Sequence, residues 1–261
     1  MLRGMSAPAA ISLLLDGPVA VATLARAPVN AIDEAWLARL DEALAALEHA
    51  KGVAVLLLRS SERAFCAGAD LALMRSRFDS AEGRARMVAF VREIQRVYAR
   101  LERLPQVTLA EIGGAALGGG LELALACDLR IAGAAARLGL PEPRLGLIPG
   151  AGGTQRLTRI AGEATAKRLI LAAEVVDGTQ AAALGIVHWA VPPAELAVRA
   201  RTLANEIAAL PAAALQACKR CIHRALEPGT GGYEMEVAAT AALLADAETQ
   251  SRVRAFLKKR R

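Results

Sequence analysis

Residues Ala116–Ala124 read ALGGGLELA, a short apolar run that passes through three glycines into a helical pattern. Alternation of such strand-like and helix-like segments is typical of an α/β fold. At Gly118–Gly120 a ligand can approach main-chain N–H groups without side-chain obstruction, and the helix dipole favours negative charge at the same place. From these residues alone two interpretations stay open. The glycines form an oxyanion site, or they only let a helix pack closely on a strand.

Glu122 follows the glycines and lies between leucines in the first turn of the predicted helix. A carboxylate in such surroundings is costly unless it is solvated or used, although the helix dipole alone can favour a glutamate there. Glu142 lies between Pro141 and Pro143, which stiffen its loop. Two carboxylates in different surroundings can divide acid and base work, but their spacing in the sequence does not show that they meet.

The chain before this stretch alternates between predicted strands and helices. Ile11–Leu15 and Val19–Leu24 flank Asp16-Gly17, which predicts an antiparallel hairpin. Asp33 is predicted to cap a helix that ends before Gly52, and a long charged helix is predicted from about residue 81 to residue 104. Further strands are predicted at Val53–Leu58, Val107–Ile112 and Leu129–Ala132.

The last part of the chain has a different pattern. From Gly153 onward helical patterns follow one another almost without interruption, so we expect a helical region and no second α/β unit. Neither Gly113–Gly120 nor Gly150–Gly153 fits GxGxxG or a P-loop, which excludes the usual nucleotide-binding motifs.

Composition restricts the class of protein. A chain of 261 residues with 54% hydrophobic and 22% charged residues can bury a large core, and disorder is not expected. The longest uncharged stretch, Gly178–Ala194, is interrupted by glycine and two prolines, so no membrane span is predicted. The opening residues Met1–Ala10 lack the apolar stretch of a secretory signal, and we expect a cytoplasmic protein.

Cysteine content and charge offer little further chemistry. The four cysteines are too scattered for a disulfide framework, and Cys218 and Cys221 lack a second pair to complete a metal site, so no metal is expected. The net charge of +6 favours an anionic partner, but basic and acidic residues are interspersed except at Lys258–Arg261. Nucleic acid binding is therefore not indicated.

Three motifs in register carry a resemblance to a known family. The motifs closely resemble the enoyl-CoA hydratase/isomerase (crotonase) family, and their order and spacing match it too. The likeness extends from about Ile11 to the end of the chain and is strongest between Phe65 and Leu157. The motifs are Ala64–Leu71 (AFCAGADL), Ala116–Ala124 (ALGGGLELA), and Pro141-Glu142 followed by Ile148–Leu157 (IPGAGGTQRL).

The resemblance implies a fold and an assembly. The expected α/β fold is the crotonase spiral of repeated ββα units, with a C-terminal helical region used for trimerisation. We place the spiral core and active site in residues 1–200 and the helical oligomerisation region in residues 201–261. The expected assembly is a homotrimer or a homohexamer.

The resemblance also implies roles for individual residues in hydration of an enoyl-CoA thioester. Glu122 is the expected base and Glu142 the expected proton donor to Cα, while the N–H groups of Ala69 and Gly119 form the oxyanion hole. No cofactor is expected, because coenzyme A is part of the acyl-CoA substrate. Contacts with coenzyme A or the substrate are expected from Ala67, Gly68, Asp70, Leu71, Gly118 and Gly150.

Two alternatives remain within the family. An isomerase that shifts the double bond can work with one carboxylate, at the position of Glu142. A non-catalytic RNA-binding member is the second alternative. Residues 71–84 and the helix behind them line the acyl pocket in relatives, where Leu73, Met74, Phe78 and Met87 are either pocket or packing residues.

Overall fold

The opening hairpin is formed as predicted. The computed structural model describes residues 10–225, Gly229 and residues 231–258. Strands β1 (Ile11–Asp16) and β2 (Val19–Leu24) pair antiparallel, with Asp16 opposite Val19. Residues 1–9 and 259–261, which bear on the expectations about a leader and a basic tail, lie outside the described residues.

The larger sheet has the strand order β1-β2-β3-β5-β7-β10. Apart from the opening hairpin its neighbouring strands are parallel. Parallel neighbours need crossover connections, and helices between the strands supply them. Its remaining strands are β3 (Val55–Ser60), β5 (Val107–Ile112), β7 (Leu129–Gly133) and β10 (Trp189–Val191).

Helices cover both faces of this sheet. Helix α1 (Glu34–Glu48) begins at the predicted cap, where the Asp33 side chain accepts a hydrogen bond from Trp36 N. Helix α3 (Ala81–Arg103) packs against α1 and contributes a buried apolar stripe to the main core. Helix α7 (Leu196–Ala208) packs on the opposite face.

A second, smaller sheet supplies the second strand of each repeated ββα unit. Its order is β4-β6-β8-β9, with parallel pairing among the first three strands and an antiparallel last pair. The chain passes from β3 to β4, from β5 to β6 and from β7 to β8, and helical segments follow each pair. These are the expected ββα units. The smaller strands are β4 (Ala64–Cys66), β6 (Ala115–Leu117), β8 (Arg137–Gly139) and β9 (Val175–Asp177).

The connections after the smaller strands carry the glycine-rich motifs. Helix α2 (Leu71–Arg75) follows β4, and helix α4 (Gly119–Leu125) follows β6. After β8 the chain forms a 3-10 turn (Glu142–Leu145) and then helix α5 (Gly153–Leu171). The three motifs of the sequence therefore begin or precede helices at one end of the smaller sheet.

The expectation of an almost uninterrupted helical region after Gly153 is wrong in one respect. Strands β9 and β10 lie within it, with helix α6 (Gly178–Ala183) after β9. Each of these strands has three residues, too few to show an alternating pattern. Beyond α7 the chain is helical, in α8 (Ala212–Arg224), α9 (Gly232–Ala245) and α10 (Ala247–Lys258).

The proposed division at residue 200 falls inside α7, and it stays a prediction. Helix α9 buries none of its residues and exposes Tyr233, Val237 and Leu244. None of the helices in the described ranges has the length and apolar character needed to cross a bilayer.

Candidate active site

The N–H groups of Ala69 and Gly119 lie close together. Ile32 pairs with the residues on either side of Ala69: its N–H donates to Gly68 O at 2.9 Å, and its carbonyl accepts from Asp70 N at 2.9 Å. The Ala69 N–H therefore points away from Ile32. Gly119 is the first residue of α4, so its N–H has no acceptor within the helix. A Cβ built on Gly119 would lie 3.8 Å from Ala69 N, which shows how near the two segments are.

Tyr98 holds the start of α4 from behind. Its hydroxyl donates to Gly119 O at 2.9 Å, and its side chain is fully buried in α3. Sequence reasoning did not identify this residue. The only feature in the sequence that points to Tyr98 is its place on the apolar stripe of a long helix, and an aromatic residue there usually indicates core packing.

Glu122 is buried, with only 2% of its surface exposed. Its Oε1 accepts hydrogen bonds from Ala151 N at 2.8 Å and from Gly153 N at 2.7 Å. Burial and, to a smaller extent, the nearby Glu142 raise the pKa of this carboxyl, while the two N–H donors and the Arg156 charge oppose the rise; the resulting pKa is about 7. A group with a pKa near 7 can both accept and release a proton at neutral pH.

Glu142 begins the 3-10 turn and brings the second carboxylate to the same place. Its Oε1 lies so close to Gly118 that a Cβ on that glycine would be 2.9 Å away. Its Oε2 is buried and makes no hydrogen bond with the described residues. Burial raises the pKa of Glu142 as well. The structure therefore brings together the two glutamates, Gly118 and the paired N–H groups.

The other predicted contact residues are arranged less uniformly. Asp70 caps α2 by accepting from Ala72 N at 2.9 Å and Leu73 N at 3.2 Å, and the Leu73 N–H lowers its pKa. It also pairs with Arg26 at 3.1 Å, so its side chain already has structural partners. Leu71 is 62% exposed at the start of α2.

The remaining predicted contacts are the main-chain positions Ala67, Gly68 and Gly150, of which Gly68 is the one shown next to the paired N–H groups. Ala67 is exposed and donates its N–H to Val29 O at 3.0 Å. A Cβ on Gly68 would lie 3.2 Å from Gly119 N, so that glycine borders the site directly. Gly150 lies beside α3, where its carbonyl accepts from Gln95 Nε2 at 2.6 Å. The roles of these residues toward coenzyme A stay predictions.

The candidate acyl-pocket residues divide between packing and exposure. Leu73 and Met87 are partly buried against the main core, whereas Phe78 is exposed. Met74 is partly exposed. The first two are the better candidates for a wall shared by core and acyl chain.

Other reactive groups give no second centre in the described ranges. Burial raises the pKa of the Cys66 and Cys127 thiols to about 12, which keeps them protonated and poorly nucleophilic. Within residues 10–225 and the described helices after them, no three His, Cys, Asp or Glu side chains are arranged to hold a metal ion.

The raised pKa of Glu122 predicts a dependence of stability on pH. Its folded-state pKa of about 7 exceeds the ordinary value of 4.5, so the folded chain loses stability as pH rises from about 4.5 to about 7. We expect the Glu122→Gln variant to avoid this loss, which is at most about 3 kcal/mol. Its thermal midpoint, relative to that of the wild type, should be higher at about pH 8 than at about pH 5.

The matched control for this measurement is Glu163→Gln. Glu163 is an exposed residue of α5 that pairs with Lys167. An exposed ion pair of this kind contributes about 0–1 kcal/mol, so its variant should follow the wild type at both pH values. Equal behaviour of the Glu122 and Glu163 variants would contradict the assigned burial effect.

Comparisons with known proteins identify the family of the chain. Residues 16–261 match the family model described as enoyl-CoA hydratase/isomerase. The chain belongs to the enoyl-CoA hydratase/isomerase family, and the expected crotonase fold is confirmed.

Individual relatives cover most of the chain. It is 38% identical over 214 residues to the short-chain-enoyl-CoA hydratase of Clostridium acetobutylicum, covering 81% of this chain and 80% of that one. It is 39% identical over 209 residues to the enoyl-CoA isomerase/hydratase fer4 of Mycosarcoma maydis, with 79% and 74% covered. The crystal structure of enoyl-CoA hydratase from Bacillus anthracis superimposes with a TM-score of 0.88 at 34% identity, with 96% of each chain covered.

Proposed function

We propose that the chain is an enoyl-CoA hydratase that adds water across the 2,3 double bond of a trans-2-enoyl-CoA to give a 3-hydroxyacyl-CoA. One observation carries the proposal: the buried carboxylate of Glu122 and the partly buried carboxylate of Glu142 lie together beside the N–H groups of Ala69 and Gly119. Hydration needs a base that takes a proton from water, an acid that protonates Cα, and donors that stabilise the negative charge developing on the thioester oxygen. This arrangement can supply all three.

The proposed reaction divides the proton transfers between the glutamates. Ionised Glu122 takes a proton from water as the water oxygen bonds to Cβ, and the electron pair of the double bond moves toward the thioester oxygen. Protonated Glu142 then gives its proton to Cα. One proton is gained and one is given, so the net charge of the pair is unchanged. Burial raises the pKa of both carboxyls, which favours a proton held between them, and the pKa of Glu122 near 7 lets that group exchange a proton at neutral pH.

The paired N–H groups would stabilise the enolate-like oxygen formed during addition. Each preorganised main-chain donor of this kind contributes about 3–4 kcal/mol in comparable oxyanion holes. Tyr98 adds rigidity by holding the Gly119 carbonyl from behind.

The main rival is an isomerase that moves the double bond. Such an enzyme needs one carboxylate, at the position of Glu142, and the relative fer4 carries both activities in its name. The buried, main-chain-bonded Glu122 favours hydration, because an isomerase using Glu142 alone would have no use for a second buried carboxylate. Similarity to a short-chain-enoyl-CoA hydratase supports the same choice.

The proposal includes an assembly and a cellular setting. We propose a homotrimer or homohexamer, and the exposed apolar side chains of α9 offer a surface for it. No cofactor beyond the substrate's own coenzyme A enters the proposed chemistry. Cytoplasmic localisation stays a prediction.

Turnover of crotonyl-CoA tests the proposal. We expect the purified protein to remove the absorbance of the conjugated enoyl thioester and to form 3-hydroxybutyryl-CoA, with kcat/KM rising with pH through about 7 as Glu122 ionises. Isomerisation of a 3-enoyl-CoA that is faster than hydration would identify the rival instead. Salt-sensitive RNA binding without any turnover would support the non-catalytic alternative.

A further inference from the structure

We propose that Arg156, anchored by Glu102, is a positioning residue that fixes the turn Ala151–Gly153 against Glu122. The inference rests on the proposed function, because it assigns to this ion pair the orientation of the base in hydration. It concerns residues that do not touch the reacting atoms. Its evidence is a continuous set of contacts from α3 to the Glu122 carboxylate.

The first part of this set joins two helices. Arg156 lies in the first turns of α5, and its Nε and Nη2 donate to Glu102 Oε2 at 3.1 and 2.8 Å. Glu102 lies near the end of α3, one helical turn after Tyr98. The Arg156 side chain is only 8% exposed, so its charge is paired in a largely dry place where pairing matters.

The second part joins the guanidinium to the turn. Arg156 Nη1 donates to Ala151 O at 3.0 Å, and Ala151 N donates to Glu122 Oε1 at 2.8 Å. Ala151 is therefore held from one side by Arg156 while it holds Glu122 from the other. Gly153 N supplies the second hydrogen bond to the same oxygen.

Gly152 shows that the turn is shaped around the guanidinium. Its φ is +106°, and a Cβ there would lie 3.3 Å from Arg156 Cζ and closer still to Nη1. Any other residue would displace Arg156 or strain the turn. The turn and the arginine therefore fit one another closely.

The set leaves one oxygen of the base available. Both hydrogen bonds to Glu122 within the described chain end on Oε1, so Oε2 is the atom free to take a proton from water. The charged or titratable groups that act on Glu122 are Glu142 from the 3-10 turn, Arg156 from α5 and Tyr98 from α3. Among these, Arg156 is the cation, and it opposes the rise of the Glu122 pKa.

Two substitutions separate position from charge. Arg156→Gln removes both the charge and the bridge, whereas Arg156→Lys keeps the charge but loses the planar fork that reaches Glu102 and Ala151 together. We expect both variants to lower kcat for crotonyl-CoA by about 10- to 100-fold, with a smaller change in KM. In both, Glu122 should titrate at higher pH, because its two N–H donors are no longer held in place.

The matched control is Arg159→Gln. Arg159 approaches the same Glu102 at 3.6 Å from the next turn of α5, but it is 41% exposed and makes no hydrogen bond to Ala151 in the described chain. It should leave kcat and the Glu122 titration near the wild-type values. The titration is followed directly by the infrared band of the carboxyl group and is assigned by its loss in Glu122→Gln.

Three outcomes overturn the inference. An unmoved Glu122 titration in both Arg156 variants would show that the ion pair only stabilises the fold. Full retention of kcat and titration in Arg156→Lys would show that charge alone suffices and that the bridge has no positioning role. If the Arg156 variants do not fold, Glu102→Ala replaces them, and unchanged kcat together with unchanged hydrogen exchange at Ala151 and Gly153 overturns the inference.

The experiment also separates this inference from the proposed function. A wild-type protein that does not hydrate crotonyl-CoA contradicts the proposed function, yet the infrared titration still tests the ion pair. A wild-type hydratase whose Glu122 titration ignores Arg156 contradicts only the inference.

Discussion

Replacement of Glu122 by glutamine is expected to lower kcat for crotonyl-CoA hydration by about 10²- to 10⁴-fold, the usual contribution of a general base. Glutamine has nearly the same shape and can keep its amide oxygen on the N–H groups of Ala151 and Gly153, but it cannot take a proton from water. The loss should therefore appear in kcat, with little change in substrate binding or in the fold.

The chain offers a close control for that result. Glu111, on β5, is another carboxyl group whose pKa is raised by burial, and its Oε2 also lacks a hydrogen bond within the described residues. It shares the sheet face of Leu109, which packs toward α7, on the side away from the main core. Glu111→Gln should retain hydration.

The complementary variant decides between hydratase and isomerase. Full activity in Glu122→Gln would end the two-carboxylate proposal. If Glu142→Gln alone removed turnover, the isomerase would become the better description.

Gly120→Ala is expected to be the most damaging small substitution at the site. A Cβ there would lie 2.6 Å from the Cys66 carbonyl carbon and closer still to its oxygen, both of them main-chain atoms of β4. Relief would require α4 to move away from β4 and would spoil the pairing of β4 with β6. We expect a loss of about 3 kcal/mol, the upper end for overpacking, and a fall in thermal midpoint of about 6–12 °C.

Gly113→Ala is the control for this prediction. The nearest atom to its new Cβ would be Leu196 Cδ2 at 3.6 Å, an ordinary contact with a side chain. Its thermal midpoint should stay close to that of the wild type. A Gly120→Ala midpoint equal to that of Gly113→Ala would contradict the close approach of α4 to β4.

The long elements of the fold could be predicted from the sequence because their patterns repeat. Helix α3 was expected from about residue 81 to 104 and spans Ala81–Arg103, and β5 spans Val107–Ile112 as predicted. The smaller sheet could not be predicted in the same way. Its strands have three residues each, and their stability comes from pairing with distant strands. Apart from the short apolar run before Gly118, only the family resemblance implied them, through the ββα spiral.

Individual residues of the site could be predicted from the sequence, but the contacts between them could not. A carboxylate among leucines and a glycine triplet are local signals, so Glu122 and Gly119 could be singled out. The contacts that form the site join residues far apart in the sequence. Glu122 accepts a hydrogen bond from a turn about thirty residues away, and Arg156 donates to Glu102 on another helix. A single sequence carries no physical record of such meetings, which depend on the packing of whole elements.

The two proposed oxyanion donors belong to the main chain, and this has a consequence for how the protein can change over time. Almost any side chain at position 69 would leave the donor itself in place, and only proline would remove it outright. This donor is thereby insulated from most side-chain substitutions, whereas the proposed proton transfers depend on the side chains of Glu122 and Glu142 themselves. The side chains around the donor can therefore change during evolution while the donor itself is kept.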